Sequence, residues 1–230
     1  MQKKQRRWEE YLEQRRALPL PDRVVLHARA HKLIFTFLPP LTTTALKIIH
    51  RMPGVCQVVK DCEPKYQTIG QRQWVLLKPD NYHLTELWIV EGLFDALALR
   101  HYKPCLWKQG LPPTTLIQEV LNPLNIHPKI VLAFDNDLQG ILHTIKYIAY
   151  LLENNIIPQI AILDEYKDIN DYIVANNSLP DTYTLQRWIQ LLASGHLPPV
   201  NHQQNVPVWP TVAPALGELL LAAGRAGYYL

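Results

Sequence analysis

From residue 87 onward, short apolar runs alternate with amphipathic segments, and this alternation is the strongest constraint on the fold. LWIVE leads into GLFDALALRHY, PCLW into TTLIQEVLNPL, and KIVLAF into GILHTIKYIAYLLENN, and PQIAILD adds a fourth apolar run. Strands that alternate with helices predict a parallel sheet with helices on its faces. Buried parallel strands read as nearly continuous apolar runs, as these do. We therefore predict an α/β fold for this part of the chain.

The flanking regions are less regular. Residues 1–17 read as a charged helix, HKLIFTFL and QWVLLK as strands, and TTTALKIIHRM as a helix ended by Pro53. LPDTYTLQRWIQLLASG reads as one helix, and a proline-rich stretch and a final apolar helix follow it. We predict a basic N-terminal α/β extension at 1–85, a compact α/β domain at 86–175, and a C-terminal helical and proline-rich tail at 176–230.

The composition is that of an ordinary soluble protein, with 48% hydrophobic and 19% charged residues. No run of about 18 apolar residues and no secretory signal pattern occurs, so we expect no membrane span and a cytoplasmic location. Cys56, Cys62 and Cys105 form no CxxC pair. Neither a zinc ribbon nor a disulfide framework is therefore expected.

The net charge of +3 hides an uneven distribution. Residues 1–85 carry 15 Lys and Arg against 7 Asp and Glu, whereas residues 86–173 carry 6 against 11. A basic arm joined to an acidic domain indicates one part that attracts a polyanion and another that holds a cation. Trp8 and Tyr11 lie among the basic residues, either to stack on bases or to pack against the core. The candidate nucleic-acid contacts are Lys3, Lys4, Arg6, Arg7, Arg15, Arg16 and Lys108.

Acidic residues follow three of the predicted strands. Glu91 ends LWIVE with Asp95 four positions later, Asp135 and Asp137 follow KIVLAF, and Asp168 follows PQIAILD. Ligands of parallel α/β sheets bind at the carboxyl ends of the strands, so these carboxylates should converge. Two carboxylates about 4 Å apart repel by roughly 4 kcal/mol, so such a cluster requires a proton or a cation. An all-oxygen site suits Mg²⁺ or Mn²⁺.

The Asp135-x-Asp137 pair has other interpretations when it is taken alone. An EF-hand loop beginning at Asp135 would place Gln139 at a ligand position and Lys146 where the bidentate glutamate belongs, so we reject it. The pair could also be solvated loop residues at the end of a strand. The acidic residues at the neighbouring strand ends favour the metal site.

Three motifs in this order resemble the Toprim domain shared by bacterial primases, topoisomerases and some nucleases. VEGLFDALAL precedes VLAFDNDLQG, and KDINDYI resembles the lysine-aspartate-proline-aspartate segment of bacterial and phage primases. The resemblance covers residues 86–175 and implies a compact, Rossmann-like parallel sheet flanked by helices. It implies catalytic roles for Glu91, Asp135 and Asp137. It also implies metal-site roles for Glu91, Asp95, Asp135, Asp137, Asp168 and Asn170.

The sequence departs from the family pattern at two places. The loop at 107–111 reads WKQGL and keeps only the glycine of the Ser-x-Gly-Thr-like loop of primases. Ile169 and Asn170 replace the proline and an aspartate of the third motif. Because an asparagine ligand adds no charge, a second metal ion is expected to bind more weakly. The sequence also contains no GxxxxGK[ST] P-loop and no cysteine/histidine zinc module.

The resemblance implies a primase-like protein of phage, plasmid or mobile-element replication that uses Mg²⁺ for nucleotidyl transfer. The expected partners are nucleic acid, single-stranded DNA in particular, nucleoside triphosphates, and a separate helicase or replication protein. Two alternatives stay open. One is a small Toprim nuclease that uses the same metals, and the other is an accessory nucleic-acid-binding subunit that has lost the chemistry.

Overall fold

The computed structural model describes most of the 230 residues of the chain. The side chains of some residues in the described helices and strands, among them those of residues 2–7, are not described. The helix predicted at TTTALKIIHRM lies outside the described residues. The described residues are 2–22, 24–29, 32–37, 55–60, 66–69, 72, 74–79, 83–122, 127–194 and 208–227.

The N-terminal region contains a helix and an antiparallel sheet. The helix, α1, spans Gln2–Gln14. The four strands are β1 (Val24–Arg29), β2 (Lys32–Phe37), β3 (Val55–Lys60) and β4 (Tyr66–Ile69). They pair in chain order, each antiparallel to the next, and so form a meander. The strand predicted at HKLIFTFL is confirmed as β2.

The second sheet has six strands, ordered β10-β9-β8-β6-β7-β5. Its strands are β5 (Val75–Leu77), β6 (Glu86–Val90), β7 (Cys105–Trp107), β8 (Lys129–Ala133), β9 (Gln159–Ala161) and β10 (Thr182–Tyr183). The four central strands are parallel, and β5 and β10 pair antiparallel at the two edges. The predicted parallel α/β sheet is confirmed, with one edge strand from each flanking region.

Helices connect the strands and cover both faces of this sheet. They are α2 (Leu93–Leu99), α3 (Pro113–Thr115), which continues as a π-helix at Leu116–Leu121, α4 (Leu138–Glu153), α5 (Ile169–Asn176), α6 (Leu185–Ala193) and α7 (Val208–Arg225). Among the described residues, no helix is long and apolar enough to cross a membrane.

The single helix predicted at LPDTYTLQRWIQLLASG is wrong in its first part. Thr182 and Tyr183 pair with β9 as β10, and the helix begins only at Leu185. The Thr184 side chain accepts a hydrogen bond from the backbone N–H of Arg187, so Thr184 is an N-cap that fixes where α6 starts. A β-branched residue followed by an aromatic one also suits a strand better than a helix.

The hydrophobic core has two halves because alternate residues of a strand point to opposite faces. Leu87 and Ile89 of β6 enter the half covered by α4, α6 and α7. Trp88 and Val90 enter the half covered by α1, α2 and α5, to which β2 of the meander also contributes Phe35. The carboxyl ends of the parallel strands lie between these two layers, and this edge carries the acidic residues.

Candidate active site

The predicted acidic residues meet at a cleft at the carboxyl edge of the six-stranded sheet. Glu91 directly follows β6, Asp135 lies two residues beyond β8, and Asp168 begins α5 after β9. The cleft has a volume of about 560 Å³. Its charged lining residues are Glu91, Asp95, Asp135, Asp168 and Asp171, with Arg15, Arg72 and Lys167.

Asp135 carries negative charge that the protein only partly balances. Burial, together with the nearby carboxylates of Glu91 and Asp168, raises the pKa of this carboxyl to about 7. Lys167 opposes the shift, but its Nζ lies 3.9 Å from Asp135 Oδ2 and half of its side chain is exposed. The cleft therefore favours either a proton or an additional cation at Asp135.

Asp95 and Asp168 are held by backbone N–H groups at the starts of helices. Asp95 is buried and accepts hydrogen bonds from the N–H of Gly92 at 3.0 Å and of Asn170 at 3.2 Å. Asp168 is the N-cap of α5 and accepts from the N–H of Asp171 at 2.8 Å. Burial raises the pKa of both carboxyls, and for Asp95 the charges of Asp168 and Asp135 raise it further.

Asp137 stands apart from the other acidic residues. It caps α4, and its Oδ1 accepts from the N–H of Gly140 at 2.9 Å. The residues that line the cleft include Asp135 but not Asp137. The chain bends at Asn136 and Asp137, so the two carboxylates do not share one face as residues two apart in an extended strand would. A Cβ atom at Gly140 would collide with the Asp135 carbonyl oxygen, so this turn requires glycine.

Asn170 is almost fully buried and joins α5 to the end of α1. Its Oδ1 accepts from Arg15 Nη1 at 3.0 Å, and its Nδ2 donates to the Arg15 carbonyl oxygen at 2.7 Å. Arg15 also forms an ion pair with Asp171 at 3.1 Å. Asn170 Oδ1, the atom that would bind a metal ion, thus already accepts a hydrogen bond from Arg15. Arg15 itself lies in the wall of the cleft. The metal role of Asn170 and the nucleic-acid role of Arg15 stay predictions.

Glu91 has two basic partners on the same oxygen. Lys108 Nζ lies 2.5 Å from Glu91 Oε1, and His143 Nδ1 lies 2.7 Å from it. Only 4% of the Lys108 side chain is exposed, so this predicted nucleic-acid contact lies inside the protein. His143 was not predicted from the sequence. His143 precedes the buried Tyr147 by four residues, so the two side chains share a face of α4. This spacing is the one sequence signal that could have placed His143 on the inner face of the helix.

The other predicted nucleic-acid contacts lie on or near α1. The side chains of Lys3, Lys4, Arg6 and Arg7 are outside the described part of the chain. Arg16 is exposed and donates to Asn177 Oδ1 at 2.7 Å. These assignments stay predictions.

The aromatic residues of α1 pack against the core. The Tyr11 ring meets the Phe94 ring edge-on with 5.5 Å between centroids, and Trp8 meets Tyr11 at 5.9 Å. Of the two interpretations of Trp8 and Tyr11, the structure therefore shows packing against the core and not side chains left free to stack on bases.

Two further cleft residues were not identified from the sequence. The Arg72 guanidinium lies beside Gly110: a Cβ atom added to this glycine would be 3.2 Å from Arg72 Nη1. Gln109 is 7% exposed and has a φ of 49°, and neither atom of its amide group has a hydrogen-bond partner among the described residues. Gln109 belongs to the loop where the sequence departs from the primase pattern, and Arg72 lies outside the three motifs, so no motif indicated either residue.

The oxygen-rich cleft suits a hydrated divalent ion. Within the described part of the chain, no three His, Cys, Asp or Glu side chains form a group that could hold a metal ion together. Mg²⁺ keeps several of its waters and binds proteins through one or two carboxylates together with substrate phosphates. Asp135 and Asp168 both line the cleft, and their raised pKa values reflect charge that a cation would balance. The donor set therefore fits Mg²⁺ or Mn²⁺.

Comparison with known proteins places the acidic motifs in a family. Residues 88–173 match a family model described as Toprim-like. This segment is a Toprim-like domain. The Toprim-like domain covers more than a third of the chain and contains all six residues assigned to the metal site. The resemblance inferred from the three motifs is confirmed.

No curated protein matches the chain. Among solved structures, it is similar to the crystal structure of the Aquifex aeolicus primase, comprising zinc-binding and RNA polymerase domains. The similarity covers 93% of this chain and 60% of that chain, with a TM-score of 0.47 and 14% sequence identity. The chain thus spans about three fifths of the length of that primase fragment.

Proposed function

We propose that this protein is a primase-like Toprim enzyme that transfers nucleotidyl groups with Mg²⁺ during replication of a phage, plasmid or mobile element. The supporting observation is that one cleft contains both cationic side chains and carboxylates whose negative charge the protein only partly balances. A metal-dependent reaction on phosphates needs both, because the carboxylates bind the ion and the cations bind the substrate. Single-stranded DNA, nucleoside triphosphates and a separate helicase or replication protein are the proposed partners.

The acidic residues divide by position. Asp95, Asp135 and Asp168 all line the cleft; Asp135 and Asp168 are the proposed direct ligands of Mg²⁺, and the more deeply buried Asp95 supports them. Asp137 and Asn170 stay in the proposed metal set through the family motif. Mg²⁺, when bound, would neutralise the triphosphate and the charge that develops on the leaving oxygen.

The remaining residues orient the substrate. Arg15, Arg72 and Lys167 line the cleft and are the proposed contacts for phosphate oxygens. Glu91 directly follows β6, and its Oε1 is fixed by Lys108 and His143, so its carboxylate is held at the cleft in one orientation. We assign Glu91 the removal of the proton from the attacking hydroxyl group.

Primer synthesis tests this function. The protein is incubated with single-stranded DNA, labelled ribonucleoside triphosphates and Mg²⁺, and the labelled products are resolved by length. Asp135→Asn should lower synthesis by about 100-fold or more because it removes a charge that holds the ion. Glu119→Gln removes one exposed negative charge that does not line the cleft, and it should leave synthesis unchanged.

The same assay separates the alternatives. Equal synthesis by wild type and Asp135→Asn would contradict the proposed mechanism. Cleavage of labelled nucleic acid with Mg²⁺ and without nucleoside triphosphates would support the nuclease. DNA binding with neither synthesis nor cleavage would support the accessory subunit.

A further inference from the structure

The pairing of Glu91 with a buried lysine distinguishes one side of the cleft from the other. Lys108 Nζ lies 2.5 Å from Glu91 Oε1, and the Lys108 side chain is 4% exposed. The ring centroids of Phe134 and Tyr147 lie 4.8 and 5.1 Å from the same nitrogen. Aromatic faces attract cations, so the ammonium group is enclosed by a carboxylate and two rings. The charge of Glu91 is therefore balanced from within the protein.

The backbone on either side of Lys108 is fixed. Its N–H donates to the Val90 carbonyl oxygen at 3.1 Å, which extends the pairing of β6 with β7. Three residues on, the Leu111 carbonyl oxygen accepts from the Tyr147 hydroxyl at 2.6 Å. The Trp107 indole N–H donates to the Glu91 carbonyl oxygen at 2.9 Å. Lys108 is thus held in place and does not reach out to a bound ligand.

On the other side of the cleft, Arg15 pairs with Asp171, but among the described residues no comparably buried cation lies beside Asp135. The described partner of Asp135 is Lys167, whose Nζ is 3.9 Å away and whose side chain is 50% exposed. An exposed lysine at that distance moves readily and contributes little. The carboxylates of Glu91 and Asp168 both raise the pKa of Asp135, so a cation at Asp135 is favoured even though Glu91 has its own partner. The need for an external cation is thus concentrated at Asp135 and Asp168.

We propose that Lys108 takes the place of a metal ion at Glu91, so that the divalent ion binds at Asp135 and Asp168 without Glu91. Lys108 and His143 are then positioning residues, which hold the Glu91 carboxylate toward the attacking hydroxyl group. This inference rests on the proposed function, because it assumes that the cleft binds a divalent ion. It also removes Lys108 from the set of nucleic-acid contacts.

Counting bound Mn²⁺ tests the inference without any nucleic acid or nucleotide. The full chain is titrated with Mn²⁺, and the free ion is measured by electron paramagnetic resonance, which gives stoichiometry and affinity. Glu91→Gln should keep the number of bound ions and change the affinity by no more than about threefold, since only a neighbouring charge is lost. Asp135→Asn should lose the ion.

The lysine variants provide the converse test. Lys108→Met removes the internal cation and should strengthen Mn²⁺ binding by about tenfold or add an ion, because Glu91 becomes available as a ligand. Lys108→Met combined with Glu91→Gln should return to the wild-type value. Lys146→Met removes an exposed lysine of α4 and controls for net charge. If Lys108→Met does not fold, the comparison of Glu91→Gln with Asp135→Asn decides.

Each outcome separates this inference from the proposed function. If Glu91→Gln and Asp135→Asn both lose an ion, the metal site stands and the role of Lys108 is overturned. A Lys108→Met variant that folds and binds Mn²⁺ no differently from Lys146→Met would also overturn it. If the wild type binds no Mn²⁺, or Asp135→Asn binds it normally, both the inference and the metal-dependent function fail.

Discussion

At the scale of single residues, the buried carboxylate of Asp135 lowers the stability of the folded protein when no cation is bound. Asp135 has a pKa of about 7 in the folded protein against an ordinary 3.8, so the folded state binds its proton more tightly than the unfolded state does. Between these two pKa values, stability therefore falls as the pH rises. The carboxylate is favourable only when a cation joins it. Asp135 is thus costly to the fold and useful to a metal site.

The stability of the metal-free protein should show this cost. In the presence of a chelator, Asp135→Asn should be more stable than wild type at pH 8, by up to about 4 kcal/mol, because about three pKa units are relieved. At pH 4 the two should differ little, since Asp135 is then protonated in the folded state. Urea denaturation at both pH values measures the difference. An equal difference at both pH values would contradict the assigned pKa, and added Mg²⁺ should stabilise only the wild type.

At the scale of elements, the loop that connects β7 to α3 contains a second costly group. Gln109 buries both polar atoms of its amide group without partners among the described residues. Gln109→Leu keeps a similar volume and should raise the free energy of unfolding by about 1–3 kcal/mol. Gln118→Leu, at an exposed position of the π-helix, is the matched control and should change it by less than about 0.5 kcal/mol. Lower stability of Gln109→Leu would mean that the amide group is satisfied in solution.

Elements were predictable from the sequence where a local pattern determines them. The parallel strands and the helices between them follow from apolar runs and helical spacing, and the meeting of Glu91, Asp135 and Asp168 follows from strand order alone. The two-residue strand β10 was missed because it is defined by pairing with β9. The contact of Lys108 with Glu91 was missed because it depends on how α4 packs over a loop.

At the scale of the whole molecule, side-chain contacts hold the basic helix α1 against the acidic domain. The Arg15 side chain pairs with Asp171 and the Arg15 backbone accepts from Asn170, so α1 is fixed beside the cleft. Tyr11 packs on Phe94 from the same helix. Arg15, at the end of α1, therefore lies next to the proposed reaction site.

Nucleic-acid binding should depend on where the basic residues lie. Replacing Lys3, Lys4, Arg6 and Arg7 with alanine should weaken binding to single-stranded DNA. It should also reduce the slope of log affinity against log salt concentration by about 3, because each lost phosphate contact contributes roughly 0.7. Fluorescence anisotropy over a series of salt concentrations measures both quantities.

A matched variant distinguishes local from global charge. The exposed residues Lys78, Lys129, Lys146 and Arg187 carry the same total charge but lie outside α1 and do not line the cleft. Replacing them with alanine should leave the salt slope near that of the wild type, because they make no phosphate contacts in the proposed complex. Equal losses in both variants would mean that the DNA responds to net charge alone. A loss confined to the α1 variant would support α1 as the segment that brings the strand to Asp135 and Asp168.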